Sequence, residues 1–448
     1  MAWSDPPRRV AYDLLRAVDL DGAYANLLLP KLLTARSLTG RDAAFATELG
    51  YGTLRAAGTL DEIIAACSER PLQSIDAPVR DLLRLGAYQA LRTRVPAHAA
   101  VATTVDLAKA TGNARAAGFL NAVMRRIARD DWNSWVDRLS VGGTPLARLA
   151  RQTAHPEWIA DAFRDALDDP PEGDLVETGA ALLADDSRPT THLVAWPGGL
   201  NREDLVRQSG GTPGPWSPYA VRLSGGDPGQ LIAVRTGQAA VQDEGSQLCA
   251  LDLANAPIHG RDERWLDLCA GPGGKTALLA ALAAQREATV TANELRPHRA
   301  KLVRQATAQW KVSVRVGDGR DYPEIDGGYD RVLLDAPCMG LGALRRRPEA
   351  RWRRHPADIP ELAELQRQLL ASALRLTRPG GIVGYVVCSP HRAETVEVVA
   401  KAVTSDDELT DARTGLAGVP DLGEGPTVQL WPHRQGTDAM FCALIARH

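Results

Sequence analysis

The sequence has 448 residues, 44% of them hydrophobic, and a formal net charge of −3 at pH 7. That length supports two or three domains with cores of their own, and so small a charge excludes nucleic-acid binding by bulk positive charge, leaving only local patches. No run reaches the roughly 18 apolar residues of a membrane helix, Met1–Arg9 lacks the apolar centre of a secretion signal, and the six cysteines contain no C-x-x-C pair. The expectation is a cytoplasmic monomer with no membrane contact, no disulfide framework and no metal site.

From residue 8 to about 130, apolar residues recur at helical spacing, first Val10, Leu14 and Val18, then Leu27, Leu28 and Leu32. Thr59-Leu-Asp-Glu62 carries the capping pattern of a helix start, and Ile75 to Gly86 reads as a helix stopped by its glycine. Val101–Ala110 and Ala116–Ala128 complete an all-α domain expected over residues 1–135. Arg8, Arg9, Arg125, Arg126 and Arg129 are candidates for a basic face, although a solvated charged surface explains such a set as well. Residues 136–240 are expected to be a helical linker, with Trp158 and a hinge at Asp169-Pro-Pro171, followed by a small α+β unit. In that unit Thr190–Ala195 and Ala220–Leu223 alternate as strands around a short helix at Asn201–Gln208. We read it as an RNA-contacting appendage.

Residues 241–448 form the third expected domain. Ser246 is placed to cap a helix running to Ala254. Trp265-Leu-Asp-Leu-Cys-Ala-Gly-Pro-Gly-Gly-Lys-Thr276 then reads as strand, tight turn and helix, the helix continuing through the Ala/Leu run to Ala284. Strands recur at Ala288–Asn293, Lys311–Val316, Arg331–Asp335 and Gly381–Cys388, with helices between, notably Pro360–Leu376. Val428–Pro432 and Ala439–Ile445 read as a last strand pair. Such alternation predicts a doubly wound, mostly parallel, Rossmann-like sheet of the α/β class.

The glycine turn has three readings. A phosphate-binding P-loop would need Gly at Cys269, and a dinucleotide loop would need Gly at Thr276. An S-adenosylmethionine loop needs an acid ending the first strand and another ending the second, and Asp267 and Glu294 stand there. Taken alone, the turn leaves open a fourth reading, that it binds nothing. Lys275 is one of only six lysines among 52 basic residues, consistent with a need for a compact ammonium.

Ligands of such sheets bind at the carboxyl ends of the strands. There the sequence places Asp267 and Cys269, Glu294, Asp318, Asp335-Ala-Pro-Cys338 and Cys388-Ser-Pro390. Two cysteines and several carboxylates on one rim suit methylation at C5 of a pyrimidine. That carbon is a poor nucleophile until a thiolate adds to C6; an acid must then hold the ring edge and a base remove the C5 proton. Cys67, Cys249 and Cys442 are read as small buried hydrophobes. Between the two cysteine motifs Arg345, Arg346, Arg347, Arg351, Arg353 and Arg354 cluster with Trp352, a candidate RNA-binding patch with an aromatic for stacking.

These motifs resemble the RsmB/NOP family of class I S-adenosylmethionine-dependent RNA cytosine-5 methyltransferases that carry a NusB-like N-terminal domain. The resemblance runs over nearly the whole chain. It rests on Leu266–Thr276, Asp335–Cys338 and Val387-Cys-Ser-Pro390, on Ala116–Arg126 at the end of the helical domain, and on Gln242–Gln247 and Pro432–Asp438. It implies that Cys388 is the nucleophile, that Cys338 assists release and that Asp335 holds the cytosine edge. Cys269, Ala270, Gly271, Pro272, Gly273, Gly274, Lys275, Glu294, Asp318 and Asp335 are then the cofactor-binding residues. It further implies ribosomal RNA of the small subunit as partner, with cytosine 967 of 16S rRNA as target. Val387, Met339 and Met440 depart from residues common in the family, which bears on substrate positioning and not on reaction type. The DNA cytosine methyltransferases place their nucleophile in the Pro-Cys motif instead; the second cysteine, Cys388, favours the RNA class. A non-catalytic RNA-binding factor and a P-loop NTPase are the competing functions, the first disfavoured by the intact loop and Cys388, the second by Cys269.

Overall fold

The computed structural model describes residues 5–171, 173–323 and 327–448, so the first four residues of the Met1–Arg9 stretch lie outside it. Two compact units emerge. One comprises the chain up to Arg188 together with Leu344–His355, and the other comprises Pro189–Ala343 and Pro356–His448. The stretch 136–240, expected as a helical linker followed by a small α+β unit, is divided between them, the strands falling in the second.

The first unit is helical. Pro6–Asp21 begins where Asp5 accepts the Arg8 N–H at 3.3 Å and prolines fill the first turn, and it ends at Gly22 with φ 62°. Val10, Leu14 and Val18 are buried as their spacing requires, in a core that takes in Cys67, Met124, Trp132 and Trp135. Two helix limits differ from the sequence reading. Thr59 lies buried inside Gly40–Cys67, a helix of 28 residues; burial of Leu54, Leu60, Ile63 and Ile64 around it overrides the local capping pattern. Gly86 sits inside Ala77–Arg92, where an added Cβ would lie 2.4 Å from Thr104 Oγ1 and 2.9 Å from Met124 Sδ. That glycine permits close helix packing and does not stop the helix. Helices at Trp132–Leu139, Pro145–Gln152, Glu157–Ala166 and Val176–Asp186 follow.

The second unit opens with β1 (Thr191–Ala195), β2 (Thr212–Pro213), β3 (Ala220–Leu223) and β4 (Ala239–Val241), an antiparallel sheet in the order β2-β3-β1-β4. The next helix, Glu244–Asn255, is capped by Asp243, which accepts the Gly245 N–H at 2.9 Å, and not by Ser246. The second sheet contains β5 (Arg264–Asp267), β6 (Thr289–Glu294), β7 (Val312–Val316), β8 (Tyr329–Asp335), β9 (Thr377–Val387), β10 (Asp407–Thr410), β11 (Val428–Gln429) and β12 (Phe441–Arg447). Its order is β10-β12-β9-β8-β5-β6-β7, with β11 paired to β12. Strands β5 to β9 run parallel, and β12 is antiparallel to β9. Trp265, Leu333 and Val386 pack with the helices Glu244–Asn255 and Gly274–Ala284 on one face. Leu266, Val332, Leu334, Val383 and Tyr385 pack with Ile359–Leu376 on the other. Covering both faces explains the near-continuous apolar strands and leaves only strand ends for chemistry. The order reverses at β5, which has β6 on one side and β8 on the other, so their carboxyl ends frame a crevice.

Among the described residues no helix is long and apolar enough to cross a membrane, and no group of three or more His, Cys, Asp or Glu is placed to hold a metal.

Candidate active site

The predicted residues fall on one edge of the second sheet. Register sets Asp267, the last residue of β5, opposite Ala292 and Leu333, and Asp335, the last of β8, opposite Val386, two residues before Cys388. The turn after β5 leads into the helix Gly274–Ala284 through Gly273, whose φ of 112° is one that side chains rarely adopt. At Gly271 an added Cβ would lie 2.2 Å from Glu294 Oε2. The bare backbone there lets the Gly271 N–H donate to that carboxylate at 3.0 Å. Glu294 also accepts the Arg296 N–H at 2.9 Å.

Two pairs stand out beyond the turn. Lys275 Nζ donates to Asp335 Oδ2 at 2.9 Å. Burial works against the lysine's charge, but the Asp335 carboxylate outweighs it and Cys388 adds to the effect, so the ammonium is held well above the ordinary lysine range. The Cys338 and Cys388 Sγ atoms lie 3.5 Å apart, both half-buried. The contact with Cys388, then burial, and then the Glu394 carboxylate push the Cys338 thiol well above the usual range. The two sulfurs thus face opposite charges, Cys388 an ammonium and Cys338 a carboxylate.

Asp267 fits a bound cation. Thr276 donates to its Oδ2 at 2.6 Å, while its buried Oδ1 has no hydrogen-bond partner among the described residues. Burial, with Asp335 nearby, pushes its carboxyl up to about 7. Cys269 is raised well above the ordinary thiol by burial and by Asp267, so it lines the turn as a neutral group. Asp318, just beyond β7, is ion-paired to Arg320 at 2.6 Å and is held below the ordinary carboxylate range chiefly by that pairing. It shares the edge, and its side-chain partner among the described residues is Arg320 and not another acid of the site.

The profile of the 16S rRNA methyltransferase RsmB/F family matches residues 256–446, and that of the NusB family matches residues 5–129. A Mycobacterium tuberculosis protein described as a methyltransferase is 57% identical over 99% of this chain and 97% of its own. Ribosomal RNA small subunit methyltransferase B of Cronobacter sakazakii is 32% identical over 94% of this chain and 95% of its own. The chain belongs to the RsmB/F methyltransferase family. Solved structures agree on the fold. PH0851 superposes with a TM-score of 0.82 at 22% identity over all of both chains, and a methyltransferase homologue from Pyrococcus horikoshii with 0.56 at 22% over 68% of this chain and 99% of its own. As a member of the RsmB/F family the protein is an RNA methyltransferase that uses S-adenosylmethionine.

One expectation for this RsmB/F protein needs correction. The six arginines do not present one basic face. Arg351 has no exposed surface: its guanidinium donates to Asp185 Oδ2 at 2.9 Å and to the Asp185 and Ala154 carbonyls at 2.7 and 3.0 Å. Arg345 is buried too. Arg353 donates to the Val18 carbonyl at 2.6 Å and to that of Gly22 at 3.1 Å, and the Trp352 indole N–H donates to the Arg55 carbonyl at 3.0 Å. Arg346 and Arg354 are half-buried, and Arg347 is exposed. Charge density in the sequence is blind to a buried acid 166 residues away.

How distant segments join is not legible in the sequence. Gln242–Gln247 and Pro432–Asp438 meet: the Asp438 N–H donates to Asp243 Oδ2 at 3.1 Å. Glu244, fully buried, accepts the Trp216 and Ser217 N–H groups at 2.8 and 2.9 Å. Glu394, also fully buried, binds the residues that follow Cys338 and Cys388. An acid six residues after a cysteine carries no signal of that kind by itself.

Proposed function

We propose that this RsmB/F protein methylates C5 of a cytosine in 16S rRNA, with position 967 as target, through a covalent bond from Cys388 to C6. The observation that carries the reading is the pair of sulfurs 3.5 Å apart beside the Lys275–Asp335 ion pair. A second thiol at that distance is placed to assist the elimination that must follow an addition. Asp267, the turn from Cys269 to Lys275, Glu294 and Asp318 are the residues that would hold S-adenosylmethionine, with Asp267 Oδ1 available for its ammonium group. When bound, the cofactor supplies the sulfonium methyl group that C5 attacks. Cys388 adds to C6 as a thiolate, favoured by the Lys275 ammonium, and the addition gives C5 enamine character. Asp335, fixed by Lys275, holds the ring edge. Once Cys388 is bonded to carbon its sulfur no longer opposes ionisation of Cys338, a half-buried thiol that gives its proton to water. Cys338 then takes the C5 proton, the C6–S bond breaks and its electron pair leaves with the sulfur of Cys388, while the C5–H pair restores the C5–C6 double bond. Arg347 remains the proposed RNA contact of the arginine segment.

Bisulfite mapping of small-subunit ribosomal RNA from a strain lacking the gene tests the assignment. One methylated cytosine should disappear and return with the wild-type gene; an unchanged map would exclude the reaction.

Two binding predictions follow from the cofactor residues. Glu294→Ala should weaken S-adenosylmethionine binding by about 1–3 kcal/mol, since it leaves ribose hydroxyls and the Gly271 N–H without their acceptor. Calorimetry checks it, and an unchanged Kd would remove Glu294 from the site. Asp267 gives a pH signature. Its carboxyl is raised to about 7, so below that pH the proton must leave before a cation can pair with it. Affinity should fall by up to about tenfold per pH unit below 7 and level off above it. Asp267→Asn should bind more weakly and lose that dependence.

A further inference from the structure

We infer that Glu394 is a positioning residue for methyl transfer, its one carboxylate tying the loop behind Cys338 to the loop behind Cys388 and so fixing the distance between the sulfurs. The inference rests on the cysteine chemistry proposed above. Oε1 accepts the N–H of Met339, the residue after Cys338, at 2.8 Å. Oε2 accepts the hydroxyl of Ser389, the residue after Cys388, at 2.6 Å. Gln366 completes the brace from the helix Ile359–Leu376, donating to Glu394 Oε1 at 3.1 Å and to the Pro337 carbonyl at 2.9 Å. The Tyr385 hydroxyl anchors the backbone of Glu394 itself at 2.6 Å. Glu394 and Gln366 have no exposed surface, so water does not compete for these bonds and each is stronger than at a surface. The cysteines sit on loops beyond the ends of β8 and β9, outside the sheet ladder. The Gly342 N–H to the Cys388 carbonyl, at 2.9 Å, is a second link between the same loops.

The carboxylate also acts through its charge. Cys338 is faced by Cys388, Glu394 and Tyr385. Glu394 disfavours a thiolate at Cys338, while Lys275 and Cys388 interact with each other. One side chain thereby serves both to hold the two sulfurs and to keep them unlike.

Oxidative cross-linking reads the brace without RNA or cofactor. Diamide joins two neighbouring thiols: the S–S bond forms, both thiol protons pass to the azo nitrogens, and the reagent is reduced to its hydrazine. In the full-length wild type, diamide should link Cys338 to Cys388, as shown by peptide mass spectrometry; no such link would overturn the proposal. Glu394→Ala should cross-link at least about tenfold more slowly and lose about 10²-fold in kcat, since misplacement of this kind costs that much. KM for S-adenosylmethionine should stay within about twofold. Wild-type cross-linking in Glu394→Ala would overturn the brace whatever its activity. Slowed cross-linking with unchanged kcat would leave the brace standing and sink the proposed cysteine chemistry instead. Glu394→Gln keeps an acceptor toward Met339, offers a donor that the Ser389 hydroxyl can accept, and serves if the alanine variant does not fold. Its cross-linking rate at alkaline pH should match wild type, while the pH midpoint of the reaction should move down by about one unit as the negative charge is lost. A rate reduced as far as expected for Glu394→Ala, or an unmoved midpoint, would refute the inference.

Discussion

Cys388→Ala is expected to abolish methyl transfer, by roughly 10⁴-fold or more, and to leave no covalent RNA adduct. The reason is chemical: without addition to C6 the ring has no nucleophilic carbon at C5. Cys338→Ala should behave differently. Attack and methylation need only the Cys388 sulfur and the Lys275–Asp335 pair, both intact in that variant, whereas elimination loses its base. General-base assistance is worth about 10²–10⁴-fold, so turnover should fall by that factor while a methylated RNA–protein adduct accumulates on denaturing gels. RNA carrying 5-fluorocytosine at the target should trap the wild type through Cys388, because the fluorine cannot depart as a proton. Peptide mapping decides between the cysteines. An adduct on Cys338 would exchange the two roles and align the enzyme with the DNA cytosine methyltransferases.

Arg351→Ala is expected to destabilise the helical unit by about 3–5 kcal/mol, the cost of leaving a buried charge unpaired. The Asp185 and Asp186 carboxylates lie 2.9 and 3.4 Å from the guanidinium. Asp185 also meets His155 Nε2 at 3.0 Å, all of it buried. Burial and Arg351 both disfavour a second cation there and push His155 below the ordinary histidine range. The imidazole is therefore neutral and donates to Asp185. Arg347→Gln, at an exposed position of the same segment, should stay within about 0.5 kcal/mol of wild type. Urea unfolding followed by circular dichroism tests both, and equal midpoints for the two variants would refute the claim. The network also sets an acid limit. Burial raises Asp185, but Arg351 and then His155 pull it below its ordinary value. His155 and Asp185 thus both have depressed folded-state pKa values. Their stabilisation is complete above the unfolded histidine value of about 6.5 and is lost as pH falls, first through His155 and then, below about 3.9, through Asp185.

The glycine turn, the strand ends and the places of both cysteine motifs were legible in the sequence because they depend on local order: a strand, a turn, and the residue that follows. Period and length sufficed for β5, β8 and β9. Relations between distant residues were not legible. Thr59 has the form of a helix cap, yet the surrounding Leu and Ile side chains carry the helix through it. Gly86 has the form of a stop, yet it is the point where Thr104 and Met124 approach. Six arginines in ten residues have the form of a phosphate-binding surface, yet Arg351 is bound to Asp185 and Asp186 and Arg353 to the carbonyls of Val18 and Gly22. Glu394 has no local signature, because its work is to join two segments some 50 residues apart.

Residues 344–355 belong to the helical unit although the chain on either side of them belongs to the sheet unit. The boundary is therefore not a single point along the gene. A recombination event at codon 189 would give a hybrid whose Arg351 and Trp352 came from one parent and whose Asp185, Arg55 and Gly58 came from the other. An added Cβ at Gly58 would lie 2.1 Å from Trp352, so even a Gly-to-Ala difference between the parents would be felt. Inheriting the helical half intact takes three crossovers, one at the boundary and one on each side of the twelve-residue segment. Lineages should accordingly exchange this protein whole, and residues 344–355 should follow the ancestry of the N-terminal half more closely than that of the sequence flanking them.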